Sequence, residues 1–232
     1  MGIGCCLSSV KYPTYATLGL GGRVPVDHRN AQGVGAHEAQ DMNGHARTTI
    51  FTIGHSMRTL AEFIALLQQV DVTLLVDVRS FPRSRAAPQF NRDTLPDGLG
   101  GDGIGYRHLQ ALGGRRHHRK GELPSLNTYW RVMAFRNYAD YAETAAFRTG
   151  LDALRTLARY DRCAIMCAEA VWWRCHRRII TDYLLAGGTP VEHIMGRGQV
   201  VLATLTPGAR VMADGTLRYP APADAEVTAS GE

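Results

Sequence analysis

Apolar residues along this chain recur in two patterns between residues 48 and 206. The first is a short run rich in strand-forming residues, seen in "TTIFTIGHS" (48–56), "VTLLVDVRS" (72–80) and "RCAIMC" (162–167). In the last two, apolar residues follow one another without alternation, as in strands buried on both faces. The second pattern is helical. Leu60, Phe63, Ile64, Leu67 and Val70 share one face, with Ser56 placed to cap the helix. A helical segment around Tyr138–Glu143 is followed by another over Phe147–Tyr160, in which Phe147, Leu151, Leu154 and Ala158 share a face. "HRRIITDYLLAGG" (176–188) predicts a helix with Gly187 as its C-terminal stop. "GIGYRHL" (103–109), "VEHIM" (191–195) and "QVVLAT" (199–204) read as further strands.

Strand–helix alternation with short buried strands predicts an α/β fold, a mainly parallel sheet flanked by helices. One domain is expected over residues 48–206. Residues 1–47 are rich in Gly, Ala, His and Asn without apolar periodicity and read as a disordered N-terminal extension; residues 207–232 read as a flexible C-terminal tail. Ligands of such sheets lie beyond the carboxyl ends of strands. His55 and Ser56 follow the first predicted strand, Asp77 and Arg79 end the second, and Cys167 and Glu169 lie at the end of "RCAIMC".

Charge and cysteine content narrow the setting. Lys and Arg number 26 against 21 Asp and Glu, a net charge of +5 that favours anionic partners. The five cysteines, an odd count with no secretory signal, point to a reducing cytoplasm and free thiols. No apolar run is long enough to span a membrane. The opening "MGIGCC" resembles an acylation signal at Gly2, Cys5 and Cys6, but Cys6 stands where Ser or Thr is usual. The plainer reading is an unmodified extension, with Met42 as an alternative start.

Three constellations carry chemistry. In "DVRSFPRSR" (77–85), Asp77 closes a strand and Arg79, Arg83 and Arg85 follow on a loop stiffened by Pro82 and Pro88, a pattern suited to an anion pocket. From Arg79 to Lys120, nine basic residues face three acidic ones, with Tyr106 inside the stretch and Tyr129 and Trp130 just beyond it, which suits a nucleic-acid groove or a solvated loop. In "CAEAVWWRCHR" (167–177), Cys167 and Cys175 are candidate nucleophiles or packing residues, Glu169 is a candidate acid/base and His176 a proton carrier. Cys163 reads as core. Cys167, Glu169, Cys175 and His176 offer metal-ligand atoms, but no paired C-x-x-C or H-x-x-x-H spacing is present, and adjacent Cys175 and His176 are expected on different helix faces. No metal or other cofactor is expected.

"TIGHS", "DVRSFPRSR", "LGG" (112–114), "NYADYAET", "MCAE" and "CHRRII" followed by "VEHI" occur in an order that resembles the domain of unknown function 488 family, over roughly residues 50–194. The resemblance implies an α/β fold, a site built from these motifs and, through the labels of some members, a link to DNA repair. A fainter similarity is to rhodanese-like domains, which would put Cys167 in the nucleophile's place.

The expected function is therefore an enzyme acting on a phosphate-bearing substrate, a nucleotide or nucleic acid, in DNA repair among other settings. Arg79, Arg83, Arg85 and Arg177 would bind phosphate and Glu169 would act as acid/base. Trp172 and Trp173 would stack on a base, with His55, Ser56 and Asp77 lining or orienting the site. One alternative is a sulfurtransferase or phosphatase with Cys167 as nucleophile. The other is a non-catalytic nucleic-acid or protein-binding module. The partner is an anionic small molecule or a nucleic acid; oligomeric state is not legible.

Overall fold

The computed structural model describes residues 49–117 and 124–222. The acylation motif and Met42 lie outside them, as do Arg119 and Lys120 of the basic stretch. Five strands of one sheet run parallel: β1 (Ile50–Gly54), β2 (Leu74–Asp77), β3 (Gly105–His108), β4 (Cys163–Cys167) and β5 (Val191–Gly196). With β6 (Gln199–Leu202) the order is β3-β2-β4-β1-β5-β6, and only β5–β6 pair antiparallel. The sheet is thus mainly parallel, and the fold is α/β as expected.

Period-2 alternation sends strand residues to two cores. Ile50, Val76, Cys163, Ile165 and Val191 pack on one face with Tyr138, Phe147, Leu151, Leu154, Ile179 and Ile180. These belong to α3 (Met133–Ala142), α4 (Ala145–Leu157) and α5 (Arg177–Ala186). Phe51, Ile53, Leu75, Ala164 and Met166 pack on the other face with Phe63, Ile64, Leu67, Leu95 and Leu99, from α1 (Leu60–Gln68) and α2 (Leu95–Gly100). Burial on both faces explains why β1, β2 and β4 carry nearly unbroken apolar runs.

Some local expectations need correction. Thr59, not Ser56, caps α1, in a capping box with Glu62. Ser56 is instead a turn residue with φ of 47°. At the end of α5 the left-handed position is Gly188, with φ of 75°, one residue beyond Gly187.

The expected domain end at 206 also moves. Residues 207–222 fold back as the hairpin β7 (Arg210–Val211) and β8 (Leu217–Arg218), and Leu217 and Tyr219 are fully buried. The Tyr219 hydroxyl donates to the buried Asp182 carboxylate at 3.0 Å, and the Asn127 side chain accepts from the Tyr219 amide at 2.8 Å. Tyr219→Phe is expected to lower stability by about 2 kcal/mol through loss of a hydrogen bond to a charged group. The midpoint of urea unfolding would measure it.

Candidate active site at the strand ends

The ends of β1 and β4 stay paired beyond the sheet. The amides of His55 and Ser56 donate to the carbonyls of Cys167 and Ala168 at 3.0 and 2.9 Å. This pairing presses Gly54 against the next loop, where a Cβ would lie 1.8 Å from the Glu169 carbonyl oxygen. Only glycine fits there. The chain then makes a short turn at Trp172–Arg174 and enters α5 through an extended Cys175.

A cavity of about 700 Å³ opens over these ends. Its walls include Arg79, Ser80, Arg83 and Ser84 from the loop after β2, Arg115 near Gly114, and Cys167, Glu169, Arg174, Cys175 and His176 from the loop after β4. Two loops named in the sequence reading therefore face each other.

Their members do different things. Asp77 is fully buried beneath the cavity and does not line it. Its carboxylate accepts from Arg79 at the backbone amide (3.0 Å), at Nε (2.9 Å) and at Nη2 (2.6 Å), and from the Tyr106 hydroxyl (2.8 Å). Arg79, itself buried, also donates to the Phe90 carbonyl at 2.6 Å. Its guanidinium, expected from the sequence to bind phosphate, is thus already engaged by Asp77 and the Phe90 carbonyl while lining the cavity. Burial and the Asp77 charge push the Tyr106 hydroxyl well above the ordinary phenol value, so it stays a donor.

His55 stacks on Phe90 with ring centroids 4.4 Å apart. Its Nδ1 donates to the Ser56 carbonyl at 3.0 Å, and Nε2 lies 3.2 Å from Arg79 Nη1. Burial and, secondarily, the Arg79 charge hold His55 down at about 4, so the ring is neutral at pH 7.

Arg177 corrects its expected role as a phosphate ligand. It is fully buried, with Nη2 on the Glu169 carbonyl at 2.6 Å and Nε on Cys175 Sγ at 3.3 Å. It braces the loop from within. Arg83 is exposed at the cavity and pairs with Asp93, while Arg85 is exposed elsewhere. Trp172 turns away from the cavity and stacks on His193 at 4.3 Å. Trp173 is exposed and borders an adjoining cavity. Glu169 is exposed at the rim. Ser56 does not line the cavity.

Cys167, Cys175 and His176 do come together. His176 Nδ1 lies 3.8 Å from Cys167 Sγ and 3.5 Å from Cys175 Sγ. The expected divergence of Cys175 and His176 fails because Cys175, with φ −129° and ψ 147°, precedes the helix instead of lying on it. Burial pushes the Cys175 thiol up. The hydrogen bond with Cys167, the neighbouring His176 and the Arg177 guanidinium outweigh it and hold Cys175 well below the ordinary thiol value. Cys167 moves well above that value, through the same hydrogen bond and burial. Of the two sulfurs, Cys175 is thus the one whose surroundings favour the thiolate.

Sequence reasoning missed Arg174, and it treated Arg115 only as part of a charge run. Arg174 sits between two tryptophans and Cys175, and its signal was position in the loop after a buried strand. No helix among the described residues is long and apolar enough to cross a membrane.

An α/β sheet with an arginine-rich cavity over its strand ends describes the class. Within it, the model for "Domain of unknown function DUF488" matches residues 59–184, more than half of the 232-residue chain. The chain belongs to that family. No curated protein and no solved structure shows a significant match.

Proposed function

We propose that this protein is an enzyme acting on a phosphate-bearing substrate, a nucleotide or a nucleic-acid strand, held in the strand-end cavity. The observation that carries the reading is the charge of that cavity: Arg79, Arg83, Arg115 and Arg174 line it, against Glu169 as the one carboxylate among the lining residues. With Arg79 engaged by Asp77, the groups left to meet a phosphate are Arg115 and Arg174, with Arg83 where its exposed pair with Asp93 exchanges for substrate. Glu169 is placed to act as general acid or base at the rim.

A second cavity supports a substrate longer than a single phosphate. It is lined by Tyr129, Trp130, Arg131, Trp173 and Arg178, and it shares Phe135 and Arg174 with the first. Aromatic faces interleaved with arginines suit successive bases and phosphates of a single strand. DNA repair is one setting for such a substrate.

The test is fluorescence anisotropy of a labelled single-stranded oligodeoxynucleotide. Binding is expected to fall steeply with salt, and Arg174→Ala to weaken it about 10-fold, while Arg85→Ala, outside the cavity, leaves it nearly unchanged. Equal effects of the two substitutions, or no binding at low salt, would remove the reading.

One observation favours a second reading, cysteine chemistry. The thiolate character lies on Cys175, at the mouth of α5, so Cys175 and not Cys167 would attack. In the phosphatase form of this reading the Cys175 sulfur would bond to phosphorus as the phosphorus–oxygen ester bond breaks, and the proton on Cys167 would go to the departing alcohol oxygen.

A further inference from the structure

We propose that Cys167, Cys175 and His176 bind one divalent transition-metal ion of the zinc type, with the ion's fourth position open to the strand-end cavity. Their ligand atoms all lie within 4.8 Å of one another. A tetrahedral ion with Zn–S of about 2.3 Å and Zn–N of about 2.0–2.1 Å sets sulfur and nitrogen about 3.6 Å apart. The two sulfur–nitrogen separations, 3.8 and 3.5 Å, bracket that edge. The sulfur–sulfur separation, within 4.8 Å, has to close to the roughly 3.8 Å edge of the same tetrahedron.

The surroundings are those of a metal ligand set rather than of packed thiols. His176 Nε2 donates to the Val78 carbonyl at 2.9 Å, which fixes the ring and, in the neutral imidazole, turns the Nδ1 lone pair towards both sulfurs. Tyr138 packs edge-on against the ring, and Gly114 lies so close that a Cβ there would be 2.4 Å from Nδ1. Arg177 Nε donates to Cys175 Sγ at 3.3 Å, an outer contact that stabilises a thiolate. Cys163 is the internal contrast. It lies on the same strand, fully buried among apolar side chains of the α3–α5 core, and belongs to no such cluster.

The chemistry selects the ion. Two thiolates and an imidazole favour zinc, cobalt or another soft ion over magnesium or calcium. Two thiolates also cancel the ion's charge, so the site is neutral as a unit. Loading moves no electrons: any proton still on Cys167 or Cys175 leaves to solvent as the metal–sulfur bonds form. All three ligands line the cavity, so the remaining coordination position opens where a substrate oxygen or a water would sit, in the three-ligand arrangement of catalytic sites. The site stands independently of the phosphate reading, whereas its occupation by an ion would exclude the cysteine reading, which needs Cys175 and Cys167 free.

The experiment titrates reduced, metal-free full-length protein with Co²⁺. About one equivalent is expected to bind, with a thiolate-to-cobalt charge-transfer band in the near ultraviolet and intense visible bands of tetrahedral cobalt; Zn²⁺ should bleach both. Cys167→Ala, Cys175→Ala and His176→Ala are each expected to weaken binding more than about 100-fold, while Cys163→Ala keeps the spectrum. Melting curves guard against misfolded variants: Zn²⁺ should raise the melting temperature of the wild type and of Cys163→Ala by several degrees, but not that of a folded ligand variant. No cobalt spectrum and no zinc-dependent shift in the wild type would overturn the site, as would a spectrum that survives both Cys167→Ala and Cys175→Ala. A cobalt spectrum without oligonucleotide binding would sink the phosphate reading and leave the metal site intact.

Discussion

Acidification from about pH 7 to about pH 5 is expected to cost the fold on the order of 4 kcal/mol, well before most carboxylates titrate. Two buried histidines are responsible. His193 lies on β5 and is held down at about 4, by burial first and by the Arg177 charge second. Thr52 Oγ meets its Nδ1 at 2.8 Å, Trp172 covers its ring, and Nε2 has no hydrogen-bond partner among the described residues. A proton added there would be a buried charge without a counter-ion. His55 is likewise held at about 4, against the Arg79 guanidinium. Because both folded values lie below the ordinary 6.5, the unfolded chain binds more protons through this window, so stability is full above about pH 6.5 and drains as pH falls towards 4. At pH 5 each ring contributes about 2 kcal/mol of loss. Asp182 runs the other way, since burial raises its carboxyl and lower pH favours its folded form. Urea midpoints at the two pH values measure the net effect, and His193→Gln should remove about half of the pH dependence. Equal midpoints at both pH values would contradict this account.

The parts of the fold legible in the sequence are those where burial writes itself into residue type. β2 and β4 are covered by helices on both faces, so "LLVD" and "CAIMC" leave little room for another reading. The C-terminal hairpin was not legible because its strands are two residues long and its anchors, Leu217 and Tyr219, are isolated among Gly, Asp and Pro. In the site, the meeting of the loops after β2 and β4 followed from their place at strand ends. The division of labour among the arginines did not follow. Charge says where an arginine is affordable, not whether it faces the cavity or the interior, and Arg177 is swallowed by a loop whose backbone carbonyl it satisfies. Asp77 and Arg79, two apart on an extended chain, point to the same side, and that spacing could have signalled their pairing. The Cys175–His176 convergence depended on the helix starting two residues later than the cysteine, a boundary that pattern alone leaves loose.

Asp77→Ala is expected to destabilise the protein by about 3–5 kcal/mol, a fall of about 10 °C in melting temperature. The loss is larger than that of one hydrogen bond because Arg79 would remain a cation with 6% of its side chain exposed, stripped of its carboxylate and left with the Phe90 carbonyl. Tyr106 would lose its acceptor at the same time. Removing both charges in Asp77→Ala/Arg79→Met should recover much of the loss, since a buried ion pair contributes little net stability over an apolar pair while half of one is costly. A double variant no more stable than Asp77→Ala would contradict that ledger. The same variant decides what Arg79 does in the cavity. If Arg79 only braces the "DVRSFPRSR" loop, the folded double variant keeps most of its oligonucleotide binding and Arg174→Ala weakens it as in the wild type. If binding falls about 10-fold or more in a double variant that melts normally, the guanidinium divides itself between Asp77 and the substrate, and the buried pair is then part of the phosphate site.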